Sequence, residues 1–139
     1  MLKVSNENVY LENNKGYDEK EYYGMRYYKT QESSKGKYLS LTYRLILAYD
    51  GKGGIPFDIS QFSTVTILVH NLSEYDASGL ISISPDGVHY YFDPNALAQT
   101  IPKQDLGVYP TLTFAQYVRI NITGAPFAEF EIYLQAQRI

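Results

Sequence analysis

The feature that most constrains this chain is a strict alternation of apolar and polar residues, repeated in separate stretches. From Lys37 to Tyr49 the positions Leu39, Leu41, Tyr43, Leu45 and Leu47 share one face, while Ser40, Thr42 and Arg44 share the other. Side chains of an extended chain point alternately to opposite sides. This period of two therefore predicts a strand with one face in a core and one in water. The pattern recurs on Val65, Ile67 and Val69 between Ser63 and Asn71, and on Val118, Ile120 and Ile122 between Gln116 and Thr123. It closes the chain on Phe130, Ile132 and Leu134 between Ala128 and Ala136, with Glu129, Glu131, Tyr133 and Gln135 outward.

Turn signals punctuate these stretches. Asp50-Gly51-Lys52-Gly53-Gly54 reads as a reversal, because glycines supply the positive φ that tight turns need. Residues 80–92 read as a hairpin about Pro85-Asp86-Gly87: Pro sets φ, Asp86 caps, and Gly87 takes the left-handed position. Residues 93–105 carry Pro94 and Pro102 and read as a long loop with one helical turn at Asn95 to Ala98, before a strand over Leu106 to Phe114. Seven or eight short strands without a long helix predict an all-β fold, an antiparallel sandwich of the jelly-roll or immunoglobulin-like kind. A length of 139 residues fits one such domain.

Residues 1–36 are different. They hold six of the fifteen tyrosines (Tyr10, Tyr17, Tyr22, Tyr23, Tyr27 and Tyr28) but no sustained period of 2.0 or 3.6. Disordered tails are poor in aromatics. Two readings stay open: an irregular lead-in packed on its own domain, or an arm whose tyrosines dock on a neighbouring subunit. The chain thus divides into an arm or lead-in over 1–36 and a sandwich over 37–139.

Several chemistries find no support. The net charge of −3 argues against nucleic acid or an anionic membrane as partner, since both call for a basic face. No run of apolar residues is long enough to span a bilayer or serve as a leader over 1–20. There is no cysteine, which removes thiolate metal sites and cysteine nucleophiles. His70 and His89 lie in no metal-ligand or triad spacing, so no catalytic residue, cofactor or metal is expected. Glu129 and Glu131 read as the solvated face of an edge strand, and Asp50, Asp58, Asp76, Asp86 and Asp93 as turn residues. Gly51-Lys52-Gly53-Gly54 lacks the following helix that a phosphate loop needs. The sequons at Asn71 and Asn121 matter only in a secretory pathway. Exposed Tyr75, Tyr90, Tyr91, Tyr109, Tyr117 and Tyr133 could form a stacking platform for sugar rings.

The stretch from Leu80-Ile-Ser-Ile-Ser-Pro-Asp-Gly-Val-His-Tyr-Tyr to Phe114-Ala-Gln-Tyr-Val-Arg-Ile-Asn-Ile-Thr-Gly resembles small β-sandwich accessory domains of tailed-bacteriophage virion proteins. Related uncharacterised domains of bacterial surface and spore proteins share the pattern. Ser84, Asp86, Gly87, Tyr90, Tyr117, Val118, Arg119, Thr123 and Gly124 occupy its places, and the resemblance covers roughly residues 57–136. It implies a sandwich fold and a non-catalytic structural role in a virion: capsid decoration, head-fibre base or tail accessory. Its partners would be other virion proteins or copies of itself. The alternatives are a self-assembling filament subunit on a bacterial cell or spore surface, and a module that binds a surface glycan. Arg119, alone on an apolar strand, is expected to pair with a carboxylate or carbonyls at the sheet edge.

Overall fold

The computed structural model describes residues 19–22, 24–111 and 113–139. Among these residues the chain forms eleven strands and no helix. They are β1 (Glu19–Tyr22), β2 (Met25–Lys35), β3 (Tyr38–Ile46), β4 (Lys52–Asp58), β5 (Phe62–Asn71), β6 (Ala77–Ser84), β7 (Tyr91–Phe92), β8 (Gln99–Ile101), β9 (Leu106–Pro110), β10 (Tyr117–Thr123) and β11 (Glu129–Arg138).

The strands make two antiparallel sheets. The first runs β1-β2-β3-β11-β5-β9; the second runs β4-β10-β6-β7, with β8 beside β6 as well. The inner faces enclose one core, and the fold is the antiparallel β-sandwich that the alternation predicts. Val118, Ile120 and Ile122 of β10 face Phe130, Ile132 and Leu134 of β11 across it, all of them buried. Each such side chain contributes roughly 1.5–3 kcal/mol by leaving water.

The N-terminal hairpin is built into the first sheet. β2 pairs with β3 from Arg26↔Ile46 to Lys35↔Tyr38, and β1 pairs with β2. Met25 and Tyr27 join the core, the Tyr27 ring lying 6.3 Å from that of Tyr43. A further tie crosses between the sheets: the Gly54 N–H of β4 donates to the Met25 thioether at 3.1 Å.

Three local expectations need correction. The glycines after Asp50 are only in part a reversal: Gly51 turns at φ +76°, but Gly53 and Gly54 lie inside β4. A Cβ at Gly53 would sit 2.9 Å from Leu47, and one at Gly54 would sit 2.6 Å from the Ile120 carbonyl, so both are glycine for packing. The loop over 93–105 contains no helical turn, and Gln99–Ile101 forms β8 on β6 instead. The strand after it ends at Pro110, short of Phe114.

Candidate functional site

The residues of the Ser-Pro-Asp-Gly and Tyr-Val-Arg stretches, thirty positions apart in the chain, come together on the outer face of the second sheet. Ser84 and Asp86 build the turn between β6 and β7. The Ser84 hydroxyl oxygen accepts the Gly87 N–H at 2.9 Å, and one Asp86 oxygen accepts the N–H groups of Val88 and His89 at 2.8 Å each. These bonds, with the His89 ring 2.6 Å from the other carboxylate oxygen, hold the Asp86 carboxyl below its ordinary range. Gly87 takes φ +80°, as the turn chemistry predicts. The loop folds back over β10, with Gly87 above the Tyr117 ring.

Arg119 lies beneath that loop. Its strand is not an edge, for β10 lies between β4 and β6, and its partner is not a carboxylate. The Arg119 Nε–H donates to Asn121 Oδ1 at 2.9 Å, and the guanidinium carbon stands 4.2 Å from the centroid of the Tyr90 ring. Asn121 is itself fixed, its amide donating to the Leu80 carbonyl and the Ser82 hydroxyl. A hollow of about 530 Å³ opens here, bounded by Gly54 and Pro56 of β4, by Arg119 and Asn121, and by Val88 and Tyr90 of the loop. Burial raises the Tyr90 hydroxyl pKa.

The outer face of the first sheet carries a different set. Arg44 reaches Glu129 at 2.9 Å and Glu131 at 3.8 Å, His70 stands 3.9 Å from Glu131, and the Tyr133 hydroxyl donates to Glu131 at 2.7 Å. That bond raises the Tyr133 pKa. The two glutamates therefore lie on a central strand and share an arginine, contrary to the edge-strand reading. Towards the other end of this face, Ser33, Ser40, Thr66, Gln135, Lys35 and the exposed Tyr38 surround a hollow of about 640 Å³. His70 thus lies on β5 of the first sheet, whereas His89 lies in the loop between β6 and β7. Among the described residues no group of three or more histidines and carboxylates could hold a metal ion.

A third region is apolar. Tyr91, Phe92, Leu97 and Phe114 are each more than 60% exposed. The short β7 and the loop after it are tied to Thr113 by buried Asp93: one of its oxygens accepts the Asn95 N–H at 2.9 Å and the Thr113 hydroxyl at 2.8 Å. Asn95 also donates to Thr113. Phe114 is thereby held beside the segment that carries Phe92 and Leu97.

The tyrosines named from sequence disperse. Tyr10, Tyr17 and Tyr23 lie outside the described residues, and Tyr22 ends β1. Tyr27, expected at an assembly contact, is spent on the domain's own core, while Tyr28 is half-buried. The supposed sugar platform is not one surface. Tyr109 is buried, with its hydroxyl pushed up to about 12; Tyr90 and Tyr117 lie on the second sheet and Tyr133 on the first. Both sequon amides are engaged: Asn71 is fully buried and donates to the carbonyls of Tyr75 and Ile101, and Asn121 is held as described. The apolar region escaped sequence reasoning, because the pattern places Phe92 and Phe114 only at the ends of expected strands and does not show that both stay exposed.

No curated protein matches this sequence. Among solved structures, the chain is similar to that titled "Crystal structure of PirA", at 6% identity and a TM-score of 0.45, over 76% of this chain and 97% of that one. It is also similar to "Crystal structure of CapF with inhibitor 3-isopropenyl-tropolone", at 6% identity and a TM-score of 0.47, over 88% of this chain and 30% of that one. The family profile of DUF6385, a domain of unknown function, matches residues 58–138, more than half of the sequence, and the chain belongs to that family.

Proposed function

We propose that this domain is a non-catalytic structural module that works in many copies on a larger particle, as a virion component of the tailed-bacteriophage kind that its sequence resembles. The observation that carries this reading is the apolar edge of the second sheet. Tyr91, Phe92, Leu97 and Phe114 remain in water although hydrogen bonds fix the segments that bear them. Large apolar side chains on a fixed surface are characteristic of protein–protein contacts. β7 adds an edge of two residues with no second strand beside it among the described residues, to which another chain could bond. The occupant proposed is a second copy of this chain. The separation of His70 from His89, and the Arg44 pairing of Glu129 and Glu131, support a non-enzymatic role.

The test is the mass of the native protein by light scattering, beside that of a Phe92→Ser, Phe114→Ser double variant. The wild type should form a multi-copy species that the variant loses while keeping its melting temperature. Polymerisation without limit would favour a filament subunit over a virion component. A wild type that stays monomeric at high concentration, like the variant, would overturn the reading.

A further inference from the structure

We infer that the hollow over Arg119 is a binding site for a carboxylated sugar, a uronic acid within a glycan. It shares no lining residue with the apolar edge, so the inference stands apart from the assembly reading.

The argument begins with charge. Two cations, Lys52 and Arg119, border the hollow, and none of the residues bordering it is a carboxylate. Arg119 is already oriented. Its Nε is taken by Asn121, whose amide is anchored to β6, and one guanidinium face is covered by Tyr90. The two terminal nitrogens have no hydrogen-bond partner among the described residues. A planar fork held in this way matches the two oxygens of a carboxylate, and little side-chain freedom is left to lose on binding. The remaining surroundings suit a sugar. Tyr90 and Pro56 offer flat apolar surfaces to a pyranose ring, while Thr123 offers a neutral hydroxyl to its hydroxyls. The volume, about 530 Å³, lies within the range of small-ligand sites.

The test titrates the full chain with tetramers of galacturonate, glucuronate and mannuronate by calorimetry. The neutral tetramer of glucose, a tetraglutamate peptide and inorganic phosphate serve as comparisons. At least one uronate should bind, and its affinity should fall as salt rises. Arg119→Gln should weaken it about tenfold or more, because a charge-assisted bidentate contact is lost. Arg119→Lys should recover only part, since the charge returns without the fork. Tyr90→Leu, with its melting temperature checked, should also weaken binding, because it removes both the ring surface and the cover over the Arg119 guanidinium. Equal binding of the glucose tetramer, or no effect of Arg119→Gln, would overturn the site. Binding of phosphate or of the peptide as tight as that of any uronate would overturn the sugar assignment, and binding of none would overturn both.

Discussion

At Gly87 the chain takes φ +80°, and a Cβ there would meet the Tyr117 ring at 3.2 to 3.4 Å. Two constraints therefore act on one residue: the left-handed backbone, which an L side chain resists, and the aromatic ring beneath it. Gly87→Val should lower stability by about 1–2 kcal/mol, read as a shift in the denaturant midpoint. Gly87→Asn should lower it less, because asparagine tolerates this backbone region. Equal stability of Val and Gly would show that the turn does not hold this conformation. Strain of the same kind occurs at two residues that are not glycine. Gln104, at φ +60°, is anchored by its amide to the carbonyls of Leu72 and Ser73. Phe127, at φ +61°, follows Pro126 in a turn closed by the Ala128 N–H on the Ala125 carbonyl, and its ring remains 60% exposed.

Among the elements, β2 separates a docked arm from an integral strand. It lies along the whole of β3, and Met25 and Tyr27 cap the core beside Leu45 and Leu47. A chain that starts at Lys37 would leave β3 as a bare edge, remove two buried side chains, and break the Gly54–Met25 tie. It should lose cooperative thermal unfolding by circular dichroism, whereas a sharp transition near the wild-type temperature would show β2 to be dispensable. The same strand explains what sequence could and could not reveal. β5, β10 and β11 each bury one face and alternation marked them; it marked β3 as well, although Thr42 of its polar face is buried while Leu41 and Tyr43 are only half-buried. β2 alternates only over its first four residues, because Thr30 to Lys35 are exposed on both faces and leave no apolar period to find. β4 was hidden by Gly53, Gly54 and Pro56, residues that punctuate turns but here admit the close approach of Leu47 and of the β10 backbone. Arg119 was legible as a lone cation on an apolar strand. Its real partners were not, since Asn121 and Tyr90 become neighbours only through the register and the folded-back loop.

For the whole molecule, chain order and spatial order disagree in a way that ties the sheets together. From β3 onward the chain passes to β4 in the other sheet, returns for β5, and crosses again to β6; β9, β10 and β11 repeat the alternation. The last strand, β11, is inserted between β3 and β5, so the first sheet is continuous only when the C-terminal residues are in place. Neither sheet can open alone without exposing the inner face of the other, which carries wholly buried Phe130 on one side and Ile120 on the other. The sandwich should therefore unfold as one unit, with its free energies of local opening graded by position. Native-state hydrogen exchange tests this. Amides of β10 and β11, central in their sheets and buried along one face, should exchange slowest, and with the same opening free energy, equal to that of global unfolding. Amides of β7 and β8, short strands on the edge of the second sheet, should exchange by smaller local openings. If β10 and β11 exchanged with clearly different free energies, the sheets would be separate cooperative units, and the core they share would not be what joins them.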